Sequence, residues 1–222
     1  MSVPRLVLVR HGVTDWNRDG RFQGHLDPPL SDAGRREAVL VATRLAADPS
    51  LRPARVISST LDRALRTAEA IGSATGVAVE PDARLIEIGQ GEWEGRTHAE
   101  LEASDADRYR AWLEADGIRQ PPGGEPIDAA AARVRTVLDE GLRDDRWPAC
   151  MVSHGGTLRI LAHALFGLGD ASILALDVDN ASISAVELRG EAWHLVRWND
   201  TLHLLGMETT HVDEVEGRPL AL

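Results

Sequence analysis

Lysine is absent from this chain: all 24 basic residues among its 222 are arginine. That argues against phosphate-loop nucleotide enzymes, protein-kinase-type transferases and Schiff-base enzymes, each of which rests on a specific lysine. Arginine remains, and its planar fork suits bidentate contact with phosphate or carboxylate. Cysteine is nearly absent too, and a lone Cys150 cannot build a disulfide framework. It does not suit a thiolate phosphatase either, because Gly156 stands where that signature needs its arginine. Cys150 reads instead as a small buried hydrophobe. No apolar run approaches the roughly 20 residues of a bilayer span. Met1–Arg5 shows no basic segment followed by a long apolar stretch, so a cytoplasmic protein is expected. Positive charge is in deficit overall, and a net charge of −11 argues against general nucleic-acid binding.

What is present suits one globular domain over residues 1–222, with 43% hydrophobic and 27% charged residues. Arg5–Val9 reads as a buried strand, followed by a loop through Pro28-Pro29. Ser31 looks like a helix cap, with Ala38, Val41, Ala42 and Leu45 following at helical spacing. Val56-Ile57 predicts a short strand, Leu61 to about Ala74 a helix, and Val77–Val79 another short strand. Thr97 to about Ala115 is a polar helical stretch, Pro121–Gly124 a loop, and Ile127–Leu142 a helix. Ala149–Val152 reads as a strand and Thr157–Phe166 as a helix, with β-like runs at Ser182–Leu188 and Trp193–Val196. The last dozen residues read as a loosely held tail. Strands alternating with helices imply an α/β three-layer sandwich on a mostly parallel sheet. A helical, lid-like insertion is expected at about 91–126.

Two strands end in the same way. Leu6–Val9 runs into Arg10-His11-Gly12, and Ala149–Val152 runs into Ser153-His154-Gly155. Ligands of open α/β sheets bind at the carboxyl ends of strands. Each histidine is followed by a glycine that lets a ligand approach the backbone. One such end is unremarkable, but two point to a shared pocket. Arg63 stands at another strand-to-helix junction, while Arg66 reads as a surface residue. Glu87, flanked by apolar Ile86 and Ile88, either alternates outward to solvent or faces the pocket. In the pocket, partial burial would raise its pKa toward that of a general acid.

Arg10-His11-Gly12, Thr14-x-Trp16-Asn17, Gln23-Gly24, Asp27-x-x-Leu30-Ser31-x-x-Gly34, Arg63, Glu87 and Ser153-His154-Gly155 together resemble the histidine phosphatase superfamily. Within it the chain is similar to the phosphoglycerate mutase-like branch. The resemblance implies that His11 is the nucleophile of a phosphohistidine intermediate. It implies that Arg10, Arg63 and His154 surround the phosphoryl oxygens and that Glu87 passes a proton to the leaving alcohol. Asn17, Gln23, Gly24 and Gly155 become substrate contacts, alongside Arg10, Arg63 and Glu87. His11 must be neutral to attack and His154 works best charged, so the pocket should push their pKa values apart. Neither a metal nor another cofactor is implied.

Hydrolysis of small phosphomonoesters, such as a sugar phosphate or phosphoglycerate derivative, is favoured over a cofactor-dependent phosphoglycerate mutase. Gly89–Thr97 looks like the phosphatases' version of that segment, and Gln23 stands where mutases carry threonine. Trp193–Asn199 loosely resembles actinobacterial members that dephosphorylate a glucosylated phosphoglycerate. A non-catalytic phospho-ligand binder is the alternative of another class. In the insertion, Tyr109, Trp112 and the Pro121–Glu125 loop are expected to lid the pocket, with packed core aromatics as the competing reading. Asp177-Val-Asp179-Asn180 mimics the aspartate pair of another phosphatase class, but lies late in the chain and lacks that class's lysine. His154-Gly-Gly156 has no accompanying nucleophile elbow. His25, His98, His163, His194, His203 and His211 show no metal-ligand spacing and read as structural or surface. No nucleic-acid or membrane partner is expected. A homodimer through the Ser182–Val196 β region is allowed but not required.

Overall fold

Leu6 to Val9 are buried without a break because helices cover both sides of the strand they form. The computed structural model describes residues 3–114, 120–168 and 175–206. The strands are β1 (Arg5–Arg10), β2 (Arg55–Ser58), β3 (Val79–Pro81), β4 (Ala149–Ser153), β5 (Ile183–Arg189) and β6 (Ala192–Asp200). The α-helices are α1 (Asp15–Arg18), α2 (Asp32–Ala47), α3 (Asp62–Thr75), α4 (His98–Ser104), α5 (Ala106–Glu114), α6 (Ile127–Gly141) and α7 (Gly155–Phe166).

One mixed sheet runs in the order β3-β2-β4-β1-β5-β6. The first four strands in that order are mutually parallel, while β5 and β6 add on antiparallel. Alternation along β1 divides the core. Val7 and Val9 pack with Val41, Leu45, Ala68 and Ile71 of α2 and α3. Leu6 and Leu8 pack with Val134, Leu138, Leu158 and Leu161 of α6 and α7. This is the expected three-layer α/β sandwich. Cys150 lies in its middle with no exposure, and burial pushes its thiol up to about 12.

The register places Arg10 opposite Ser153 on the neighbouring parallel strand. His11 and His154 therefore leave adjacent strand ends together, and the His11 amide donates to the Ser153 carbonyl at 3.0 Å. Ser31 caps α2 as expected, accepting from the Gly34 amide at 3.1 Å.

β6 runs to Asp200, four residues beyond the expected Val196, and three further differences from the sequence reading each have a structural cause. β3 begins at Val79 rather than Val77, because the end of α3 uses the intervening residues. Gly76 turns left-handed at φ 75°, and the Gly76 and Val77 amides both bond the Gly72 carbonyl. The Thr97–Ala115 stretch is two helices, broken at Asp105 (φ −144°, ψ 37°). The Asp105 carboxylate takes the Trp93 indole N–H at 2.9 Å and the Arg108 Nε at 2.7 Å. Ala115 lies outside the described residues, as do the expected tail and His211. Third, α7 starts at Gly155, two residues before Thr157, because a carboxylate from elsewhere in the chain caps it.

α4 and α5 share a small core with Phe22 and Trp93. Tyr109 and Trp112 are buried with Phe22, Trp93 and Leu101, so these two aromatics are packing groups and not a pocket ceiling. His98 joins them, its Nδ1 2.7 Å from the Tyr109 hydroxyl.

Gly12 and Gly34 cross closely: a Cβ on Gly34 would lie 2.1 Å from the Val13 carbonyl oxygen. Alanine is the better helix former by about 1 kcal/mol, yet the clash should win. Gly34→Ala is expected to lower the unfolding free energy by about 1–3 kcal/mol, read as a lower urea midpoint. A midpoint at or above wild type would show that the crossing relaxes without strain.

Candidate active site

The carboxyl edge of β1 and β4 gathers the charged and titratable groups singled out in the sequence. His11 and His154 are both buried, their ring centroids 5.1 Å apart at an interplanar angle of 57°. The His11 Nδ1 lies 2.7 Å from the Gly12 carbonyl oxygen. A carbonyl only accepts, so Nδ1 carries the proton and Nε2 keeps the lone pair. Backbone contacts hold this loop in place. The Gly12 amide donates to the Thr67 hydroxyl at 3.2 Å and the Val13 amide to buried Glu37 at 2.7 Å.

Arg63, at 1% exposure, is the most deeply buried cation here. Its Nη1 donates to the Leu26 carbonyl at 2.8 Å and its Nη2 to the Gly24 carbonyl at 3.0 Å. Asp27 lies 3.4 Å away, and the buried Nε has no partner among the described residues. Burial pulls the guanidinium down to about 10, which leaves it charged at neutral pH. Gly24 has to be glycine in this position. It sits at φ 50°, where a Cβ would meet the Gln90 amide at 2.8 Å. Arg10 reaches across to donate to the Val178 carbonyl.

Glu87 faces the site and not solvent. Its carboxylate accepts from the Gly156 amide at 3.2 Å, the Thr157 amide at 3.0 Å and the Thr157 hydroxyl at 3.2 Å. Those amides open α7, so the acid caps a helix distant in sequence. Asn17 closes the capping box of α1, with its Oδ1 accepting from the Thr14 amide and hydroxyl. It also meets the Asn180 amide at 3.4 Å. The Gln23 Oε1 is buried with no partner among the described residues. Gly155 sits against Arg10, with a Cβ there 3.5 Å from the guanidinium carbon. Arg66 pairs on the surface with Asp62 and Glu69.

One expectation fails. Both imidazoles are held well below their ordinary value, by burial first and then by the cations Arg63 and Arg10. His11 and His154 are not driven in opposite directions; both are pushed toward the neutral form. Burial and then Arg63 lead for both rings, and His154 is further opposed by His11 and Arg10.

Several neighbours escaped the sequence reading. The Ser59 hydroxyl lies 2.8 Å from His154 Nε2, while His154 Nδ1 has no partner among the described residues. His25 and Arg133 both donate to the Glu87 carbonyl, at 3.0 and 3.2 Å, and Arg133 is fixed by Glu125 at 2.8 Å. Asn180 donates to the His11 carbonyl at 3.1 Å. Ser59 at a strand end was the one with a local signal; the others come from distant segments. Among the described residues no cluster of His, Cys, Asp or Glu could hold a metal ion, and no helix is long and apolar enough to cross a membrane.

A family model described as histidine phosphatase superfamily (branch 1) matches residues 6–201. The chain is 37% identical over 211 residues to a glucosyl-3-phosphoglycerate phosphatase of Mycobacterium tuberculosis, covering 89% of this chain and 93% of the relative. It is 33% identical over 208 residues to a metal-independent phosphoserine phosphatase of Arabidopsis thaliana, covering 91% and 84% respectively. A solved mycobacterial glucosyl-3-phosphoglycerate phosphatase in complex with VO3 superposes with a TM-score of 0.80 at 37% identity, covering 89% of this chain and 100% of that one.

Buried neutral imidazoles make stability depend on pH. Their folded values lie below the unfolded value of about 6.5. Their contribution is therefore full above that value and lost as pH falls, because the unfolded chain then binds the protons that the fold refuses. Between pH 7 and pH 5 each should remove up to about 1.4 kcal/mol per pH unit. Urea unfolding of His11→Asn should show a shallower loss over this range than wild type. Equal slopes would mean that His11 binds its proton as readily in the fold as in the unfolded chain.

Proposed function

The chain belongs to the histidine phosphatase superfamily (branch 1), and we propose that it is a metal-independent phosphatase hydrolysing small phosphomonoesters through a phosphohistidine on His11. The observation that carries this reading is the 2.7 Å contact of His11 Nδ1 with the Gly12 carbonyl, which leaves Nε2 as an uncharged nucleophile in a buried site. In the first step Nε2 attacks phosphorus in line, forming a P–N bond as the bond to the ester oxygen breaks. Glu87 passes a proton to the departing alcohol. In the second step water gives a proton to Glu87 and attacks phosphorus, and the P–N electron pair returns to Nε2.

Phosphoryl transfer depends on positioning and on neutralising the equatorial oxygens. Arg10 and Arg63 supply two fixed cations for that purpose, and the unpartnered Arg63 Nε and His154 Nδ1 gain an oxygen to bond. An arriving dianion offsets the arginines' field, so His154 takes on charge with the substrate and not before it. Asn17, Gln23, Gly24 and Gly155 are assigned to substrate contacts around this centre.

The substrates in the relatives' names, glucosyl-3-phosphoglycerate and phosphoserine, are both small phosphomonoesters. They support a substrate of this class, with a sugar phosphate or phosphoglycerate derivative as the best fit. Residues 1–222 read as a single catalytic unit with a helical insertion at about 91–126, within which α4 and α5 lie. We place the protein in the cytoplasm, a reading supported by its lone, buried Cys150, with a homodimer across the free edge of β6 as an allowed assembly.

Phosphate release from an aryl phosphate should be unaffected by a chelator and should fall to background in His11→Ala. Arg63→Ala should lose about 100-fold in kcat/KM. Equal rates for wild type and His11→Ala would overturn the assignment. Phosphoryl transfer between phosphoglycerates without phosphate release would make the protein a mutase.

A further inference from the structure

The segment Asp177–Ala181 runs between the nucleophile and the far end of β6, and its groups alternate between the two. Toward the site, the Val178 carbonyl accepts from the Arg10 guanidinium. The Asn180 side-chain amide and the Ala181 backbone amide both donate to the His11 carbonyl, each at 3.1 Å. Toward β6, the Asp177 carbonyl accepts from the Trp198 indole at 2.8 Å. Just past β6, His203 Nε2 donates to the Ala181 carbonyl at 3.0 Å. Between them Asn199 grips Asp179 twice: its Oδ1 accepts from the Asp179 amide at 2.7 Å, and its Nδ2 donates to the Asp179 carboxylate at 2.9 Å. The strip turns at its end, where the Ser182 amide donates to the Asp179 carbonyl at 3.1 Å, so it is held from β6 on one side and holds Arg10 and His11 with the other.

The grip is built at a backbone cost. Asn199 sits at φ 50° where the β5–β6 pairing shifts register, and Ala181 sits at φ 57°. Left-handed backbone at residues other than glycine persists only where surrounding bonds over-determine it. Asparagine tolerates that conformation better than most residues and also supplies both a donor and an acceptor. The run Asp177–Asn180, which mimics a phosphatase aspartate pair in sequence, has this holding task instead.

Resting on the phosphohistidine reading, we propose that Asn199 is a positioning residue for the transfer step, acting through Asp179 and its neighbours on Arg10 and His11. Asn199 touches no reacting atom. Its loss frees the strip and lets the arginine and the nucleophile drift relative to each other. Misplacement by a fraction of an ångström to an ångström costs about 10- to 100-fold in rate.

The test measures kcat and KM for an aryl phosphate, with melting temperature, in wild type, His11→Ala, Asn199→Asp, Asn199→Gly and Asp179→Asn/Asn199→Asp. Asn199→Asp sets two carboxylates face to face and should lower kcat about 10- to 100-fold, with KM moving less than about threefold. The double variant reverses donor and acceptor across the pair and should recover most of that loss. Asn199→Gly keeps the left-handed backbone without the grip, so it reads the same effect if Asn199→Asp does not fold. Wild-type kcat in Asn199→Gly, or a folded Asn199→Asp whose loss the double variant does not recover, would overturn the proposal. Activity in His11→Ala equal to wild type would instead overturn the phosphohistidine reading, whatever Asn199 does.

Discussion

The contact between His11 Nδ1 and the Gly12 carbonyl is where the structure and the proposed chemistry meet. It sets which nitrogen is a nucleophile, and it works only if the Gly12 peptide cannot turn. Thr67 holds the amide of Gly12 and Glu37 the amide of Val13. Gly34 packs so tightly behind Gly12 that a Cβ there would lie 2.4 Å from the Gly34 carbonyl oxygen. The Thr67 hydroxyl in turn donates to the Arg63 carbonyl at 2.8 Å. One hydroxyl thus ties the nucleophile's loop to the helix that carries the deepest cation. From the opposite side, Asn180 and Ala181 fix the carbonyl of His11 itself.

Charge is arranged around that contact with the same economy. Two arginines and two imidazoles share a buried pocket, and charging all four together would be prohibitive in a low-dielectric site. The imidazoles give way because arginine holds its proton far more strongly. A neutral His11 is what attack requires, so the desolvation that opposes its protonation also makes it competent. In the proposed reaction a phosphate dianion adds its negative charge beside the two arginines.

The sheet, its order of elements and the pairing of His11 with His154 were legible because they rest on local signals. Apolar runs mark the strands, and a histidine followed by glycine marks the end of each of two of them. Ser31 was legible as a cap for the same reason. Glu87 was recognised as a candidate, but its seat on the first amides of α7 was not, because that cap comes from a residue distant in sequence. The start of α7 was misplaced for this reason, and the start of β3 because Gly76 and Val77 close the preceding helix. The common electrostatic fate of the two histidines needed the burial and the arginine placements, which no spacing encodes. Tyr109 and Trp112 show the limit of an aromatic pattern: it marks burial, and only packing says whether the buried face is core or pocket.

The most direct test of the account is to isolate the phosphoenzyme under turnover and identify which nitrogen carries phosphorus. Quenching wild type with a small phosphomonoester and separating the phosphohistidine isomers after alkaline digestion should give the Nε2 isomer, mapped to His11. Phosphate on Nδ1 or on His154, or continued turnover with no covalent phosphate at any time, would contradict it.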